Sequence, residues 1–154
     1  MRRIMKASDF MTKDVKTCTP DQTVQDAANL MLENDFSVIP VVDKDGVLQG
    51  IITESDFISR EVDIPHAMVS LKHLFGQNFN STDVEDIYKK SKNLPLEKVM
   101  TKDVKTASPD DSLNDVVSKM SEKNIKRLPV IDNGVVVGII TRKNILKAFS
   151  QIKN

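Results

Sequence analysis

The sequence predicts an α+β fold of mixed helix and strand, built from two copies of one unit that runs strand, helix, strand, strand, helix. The first observation behind this is an unbroken repeat: Met11-Thr12-Lys13-Asp14-Val15-Lys16-Thr17 recurs as Met100-Thr101-Lys102-Asp103-Val104-Lys105-Thr106. The second is that the match continues in the same order. Pro20-Asp21 returns as Pro109-Asp110, Pro40-Val41 as Pro129-Val130, and Gly50-Ile51-Ile52-Thr53 as Gly138-Ile139-Ile140-Thr141, with a single residue lost before Gly134. Unrelated segments do not match over such a length, so the half chain becomes the unit of interpretation. The third is that each half passes from apolar residues at helical spacing to short runs rich in branched residues. The boundaries read as 1–61 for the first unit, 62–95 for an insert and 96–154 for the second unit.

Each half opens on a Met-Thr turn followed by a short strand, Val15 to Cys18 and Val104 to Ala107, that stops at a proline. Thr23-Val24-Gln25-Asp26 and Ser112-Leu113-Asn114-Asp115 then open helices: a hydroxyl caps the first turn while an acid stands near the positive helix end. Val24, Ala27, Ala28 and Met31 form one apolar stripe, and Leu113, Val116, Val117 and Met120 form its counterpart. Strands follow at Ser37 to Val42 and Arg127 to Ile131. Asp45-Gly46 and Asn133-Gly134 are hairpin signals, because these residues tolerate positive φ. Val47 to Ile52 and Val135 to Ile140 return, and a second helix opens at Thr53 or Thr141.

The insert is distinct in character. Pro65 suits a first helical position, Met68, Leu71, Leu74 and Phe75 make an apolar stripe, and Gly76 suits a helix end. Thr82 opens a second short helix with Val84, Ile87 and Tyr88, and Asn93-Leu94-Pro95 closes it. This pattern reads as an amphipathic connector over one edge of the core, in preference to a separate recognition element.

Bulk composition excludes several functions. In 154 residues, 22 basic side chains face 22 acidic ones, which argues against a bulk nucleic-acid binder while allowing a local basic site. No apolar run reaches the roughly 18 residues of a membrane span, and Met1-Arg2-Arg3-Ile4-Met5-Lys6 leads into Ala7-Ser8-Asp9-Phe10 instead of a signal-peptide core, so a cytoplasmic location is expected. Cys18, the single cysteine, has no internal disulfide partner and no metal-site spacing, and reads as a small apolar strand residue. His66 and His73 share a helix face without an acidic or thiol partner, and read as a solvated or packed pair, not as metal ligands. A Walker-type loop, a nucleophile elbow, zinc spacing and a convincing triad are all missing from the sequence, so catalysis finds little support.

Taken together, these motifs resemble the cystathionine-β-synthase (CBS) domain family, and the pair resembles a free-standing bacterial Bateman module. The resemblance rests on the turn motifs Phe10-Met11-Thr12 and Val99-Met100-Thr101, on the strands Ile39-Pro40-Val41 and Leu128-Pro129-Val130, and on Gly50-Ile51-Ile52-Thr53-x-x-Asp56 with its counterpart Gly138-Ile139-Ile140-Thr141-x-x-Asn144. It implies two units packed about a pseudo-twofold axis, a homodimer formed through helices, and AMP, ADP, ATP or S-adenosylmethionine held in clefts between units.

By that resemblance Asp56 holds the ribose hydroxyls, which suits a carboxylate that accepts two hydrogen bonds from a vicinal diol. The same Thr53-x-x-Asp56 spacing is also an acidic capping box, and the two roles are compatible. Asn144 stands at the matching place in the second half. It lacks the charge, so the two clefts are expected to differ, with the Asp56 cleft the better one. The resemblance lines an adenine slot with Lys16, Thr17 and Cys18 and with Val38, Ile39 and Pro40, read largely through main-chain groups. Arg127, Thr141, Arg142 and the neighbouring Lys126 and Lys143 offer positive charge and helix-start amides to a polyphosphate, against the plainer reading of solvated surface charges. Phe57, Ile58, Ile145, Leu146 and Phe149 exceed what one small core requires, and a helix-mediated homodimer would cover them. The expectation is a ligand sensor with no catalytic residues, metal or membrane contact, acting on an unknown protein partner. A ligand-free protein interaction module is the alternative.

Overall fold

The computed structural model describes residues 4–54, 85, 89, 91–122 and 124–152. In chain order the regular elements are α1 (Ala7–Phe10), α2 (Val24–Asn34), β1 (Val38–Val42), β2 (Leu48–Thr53), a 3₁₀ turn (Leu96–Lys98), α3 (Leu113–Glu122), β3 (Arg127–Asp132), β4 (Val135–Thr141) and α4 (Arg142–Ser150). Helix and strand alternate as expected of an α+β chain, with β1 pairing β2 and β3 pairing β4. Most of the insert, with its two proposed helices and both histidines, lies outside the described residues.

The helix starts follow from their caps. At α2 the Thr23 hydroxyl accepts the Asp26 N–H at 3.1 Å while the Asp26 carboxylate accepts the Thr23 N–H at 2.9 Å. Ser112 and Asp115 repeat this at α3, at 3.0 and 3.1 Å. The next amides of α2 are also satisfied: Val24 donates to the Leu94 carbonyl and Gln25 to that of Lys92, each at 3.0 Å. These groups have no partner within a helix and need one elsewhere. Asp35, in the left-handed region at φ 55°, ends α2.

Both hairpins form. Asn133 and Gly134 have φ of 52° and 85°, the positive pair of a type I′ turn whose twist matches the strands it joins. β3 and β4 pair antiparallel from Arg127↔Thr141 to Asp132↔Val135, with a register shift between Val130 and Ile131.

The opening strands are shorter than the sequence suggests. Each is a single parallel bridge, Cys18↔Val41 and Ala107↔Val130. Cys18 donates to the Pro40 carbonyl at 3.0 Å and accepts from Val42 at 2.8 Å. The next bond of a parallel ladder would run from the residue 40 N–H to the Lys16 carbonyl, and proline has no N–H to give. Pro129 stops the second ladder beside Ala107 in the same way, where Ala107 and Ile131 make the equivalent bonds, both at 2.9 Å.

The chain divides into two compact units, and they do not follow the repeat order. One unit contains 1–15, 45–48 and 105–154; the other contains 16–44 and 49–104. Each unit therefore takes its leading Met-Thr segment from the other copy of the repeat. In the first unit the Thr12 N–H donates to the Ile139 carbonyl at 2.8 Å and the Ile139 N–H returns to Thr12 at 3.0 Å. In the second, Ile51 donates to Thr101 at 2.9 Å and Thr101 to Ile51 at 3.0 Å. Each unit has its own core. Val24, Ala27 and Met31 of α2 pack with Cys18, Ile39, Val41, Ile52, Leu96 and Val99. Val116 and Met120 of α3 pack with Ala7, Phe10, Ala107, Leu128, Val130, Ile140 and Ala148. The expected apolar stripes thus supply both cores, although Ala28 and Val117 are only half-buried. Burying such side chains is the main favourable contribution to each unit's stability.

Candidate functional site

The residues proposed as a base slot come together within one unit. The Cys18–Pro40 bond sets the segment ending at Cys18 alongside β1, so Lys16 and Thr17 lead into the edge that carries Val38, Ile39 and Pro40. Their exposures differ sharply. Lys16 and Thr17 are exposed, whereas Cys18 and Ile39 are core residues at 1% and 0% exposure. The side chains of Cys18 and Ile39 point into packed protein, and the Cys18 N–H and C=O are already engaged by Pro40 and Val42. Burial, with a contribution from the Asp26 charge, pushes the Cys18 thiol up to about 11, which makes it a packing group and not a nucleophile.

Thr53 closes β2 and is buried at 9% exposure. The next N–H, that of Glu54, donates to the Ser37 carbonyl at 3.1 Å. Thr53 and Val38 therefore lie at the same end of the β1–β2 hairpin. Asp56, the proposed ribose ligand, lies outside the described residues, as do Phe57 and Ile58.

In the other unit Arg127, Thr141, Arg142 and Asn144 are also brought together. Arg127 pairs with Thr141 in the β3–β4 register, and Thr141 caps α4, of which Arg142 is the exposed first residue. A hollow of about 520 Å³ between α3 and α4 is lined by Val117, Met120, Ile145 and Leu146, with Asn124 and Arg142 among its polar residues. Leu146 and Phe149 are 67% and 49% exposed, whereas Ile145 packs against the core.

Asn144 is held by four side-chain hydrogen bonds. It is 8% exposed. Its side-chain oxygen accepts the Thr141 N–H at 2.8 Å and the Thr141 hydroxyl at 3.0 Å. Its amide nitrogen donates to the Phe10 carbonyl at 2.8 Å and to the Thr12 hydroxyl oxygen at 3.1 Å. A primary amide has two donors and two acceptor lone pairs, so this side chain is fully engaged by the protein. Sequence reasoning does not single out Phe10 and Thr12 as partners of this position. The only signal available is the departure from Asp to Asn, since an amide can donate where a carboxylate cannot.

The family pattern described as "CBS domain" matches residues 7–63 and 96–151. Uncharacterized protein MJ1225 of Methanocaldococcus jannaschii is 34% identical over 145 residues, covering 92% of this chain and 46% of that protein. This chain thus spans about half the length of that relative. Uncharacterized protein MJ1426 of the same organism is 35% identical over 154 residues, covering 94% of this chain and 91% of its own. Among solved structures, the CBS domain pair of protein MJ0100, in complex with methylthioadenosine and S-adenosyl-L-methionine, is 27% identical with a TM-score of 0.67, covering 98% of this chain and 100% of that one. The repeat, the two separate cores and the matched segments lead to one conclusion: this chain belongs to the CBS domain family and carries two copies of the domain in tandem.

Proposed function

We propose that the chain is a regulatory module that binds an adenosyl ligand, either an adenine nucleotide (AMP, ADP or ATP) or S-adenosylmethionine, and passes the resulting change to a partner protein or a second copy. The observation that carries this is the likeness along the whole chain to the MJ0100 domain pair, whose bound molecules share an adenosyl group. Asp56 is the ribose ligand in this reading, assigned from its place three residues after Thr53. The exposed Lys16 and Thr17, leading into the Cys18–Pro40 pairing beside Val38 and Ile39, support a slot for the base. Arg127 and Arg142 are the candidates for phosphate, since guanidinium groups bind phosphate oxygens in paired hydrogen bonds. The module requires no reaction: differential affinity for two packings is enough to move a conformational equilibrium.

A second reading, a ligand-free protein interaction module, is favoured by the exposed Leu146 and Phe149 on α4. A homodimer through this helix is compatible with either reading. A thermal-shift panel of AMP, ADP, ATP and S-adenosylmethionine on the wild type and Asp56→Ala separates them, because a ligand that binds only the folded state raises its melting temperature. Stabilisation by at least one of these, lost in the variant, supports the sensor. No shift with any adenosyl compound favours the interaction module. Phosphate release in the same samples would overturn the non-catalytic reading.

A further inference from the structure

The exchange of an acid for an amide between the two repeats has a structural counterpart at α4. The other capping boxes among the described residues use an acid at the third helical position: Asp9, Asp26 and Asp115 each accept the N–H of the capping residue, at 2.9, 2.9 and 3.1 Å. Acceptance is all that this capping task requires, and a carboxylate performs it. Asn144 performs it too, through its oxygen, but it also uses the donor half of its amide on Phe10 and Thr12. A carboxylate could keep the Thr12 contact only by accepting from its hydroxyl, and could not bond the Phe10 carbonyl at all without taking up a proton.

We infer that Asn144 makes the second repeat self-liganded: its amide is committed to the chain's own Phe10–Thr12 segment, so this position does not take the vicinal diol of a ribose. A diol needs two free acceptor positions, and both lone pairs of Asn144 Oδ1 are occupied by Thr141. Opening them would break the cap of α4 and the fastening of the Met-Thr segment together. The module consequently binds one adenosyl ligand per chain, at Asp56, and holds its second position closed with its own backbone. The stoichiometry rests on the function proposed above; the fastening does not.

Two measurements test this. In ligand-free protein, Asn144→Asp keeps the size of the side chain and its capping oxygen but removes the donor, and Thr12→Val removes one of the acceptors. Amide hydrogen exchange at position 12, whose N–H is held by Ile139, is expected to quicken about tenfold in each variant, the effect of losing a typical net hydrogen bond. The Ala27 amide in α2 is the control and should not change. Unchanged exchange at position 12 in both variants overturns the inference whatever the ligand behaviour. Equilibrium dialysis with ATP is expected to saturate at one equivalent per wild-type chain and at none in Asp56→Ala. Two equivalents in the wild type, or one retained in Asp56→Ala, overturn the closed second position. If no adenosyl compound binds, the proposed function fails, while the exchange data still decide whether Asn144 fastens the segment.

Discussion

The Met100 thioether lies against Gly50 so closely that a β-carbon added to that glycine would stand 2.7 Å from its sulfur and 2.7 Å from the Thr101 carbonyl oxygen. Met11 covers Gly138 in the same way, but there the neighbouring Thr12 carbonyl is 3.1 Å away. The two glycines are thus the seats on which the exchanged Met-Thr segments rest. A methionine chain can bend away from a new methyl group; a carbonyl held in a two-bond bridge cannot do so without moving the backbone. Gly50→Ala is therefore expected to destabilise by about 1–3 kcal/mol and Gly138→Ala by less, as read by urea unfolding. Equal losses at the two sites would contradict the backbone explanation.

Burial raises the Cys18 thiol from about 9 to about 11, so the folded protein holds this proton more tightly than the unfolded chain. Stability contributed by the neutral buried thiol is fully present below pH 9 and is lost as pH rises from about 9 toward 11. Cys18→Ala should lessen this alkaline loss, measured by urea midpoints at pH 8 through pH 11. Native protein at pH 8 should also react with iodoacetamide far more slowly than urea-unfolded protein, and equal rates would show the thiol to be accessible.

At the helix starts, Thr23→Ala removes the acceptor for the Asp26 N–H and is expected to cost about 1 kcal/mol. Ser112→Ala, which removes the acceptor for the Asp115 N–H, should cost a similar amount. Chemical denaturation of both variants measures it. A neutral result at Thr23 would mean that water replaces the hydroxyl there.

If Arg127 and Arg142 hold phosphate, Arg127→Ala and Arg142→Ala are each expected to weaken ATP binding by about tenfold, the usual worth of a charge-assisted hydrogen bond, while adenosine binding stays nearly constant. Isothermal titration at two salt concentrations reads both effects, because exposed charge contacts weaken as ionic strength rises. Equal losses for ATP and adenosine would remove these arginines from the phosphate site.

Much of the architecture is legible in the sequence for local reasons. Thr23 with Asp26, and Ser112 with Asp115, mark helix starts because a capping box is a bond pattern between near neighbours. Asn133-Gly134 marks a turn because few other residue pairs adopt positive φ at both positions. Helical apolar spacing at Val24, Ala27 and Met31 marks the side that enters the core. Sequence overstates the length of the opening strands because composition carries no information on which partner strand supplies the donors. Pro40 and Pro129, visible from the outset as residues unable to donate, limit each ladder to one bridge.

The duplicated α+β plan, the helix caps, the hairpin turns and the replacement of Asp56 by Asn144 are all written in the residues themselves. Which Met-Thr segment lies on which hairpin is not. Residues 11–17 and 100–106 are identical, so their chemistry fits either strand equally and the folded path of the chain alone distinguishes them. The partners of Asn144 are hidden for a related reason: Phe10 lies 134 positions away, and a hydrogen bond over that distance in sequence leaves no periodicity, spacing or local pattern to read.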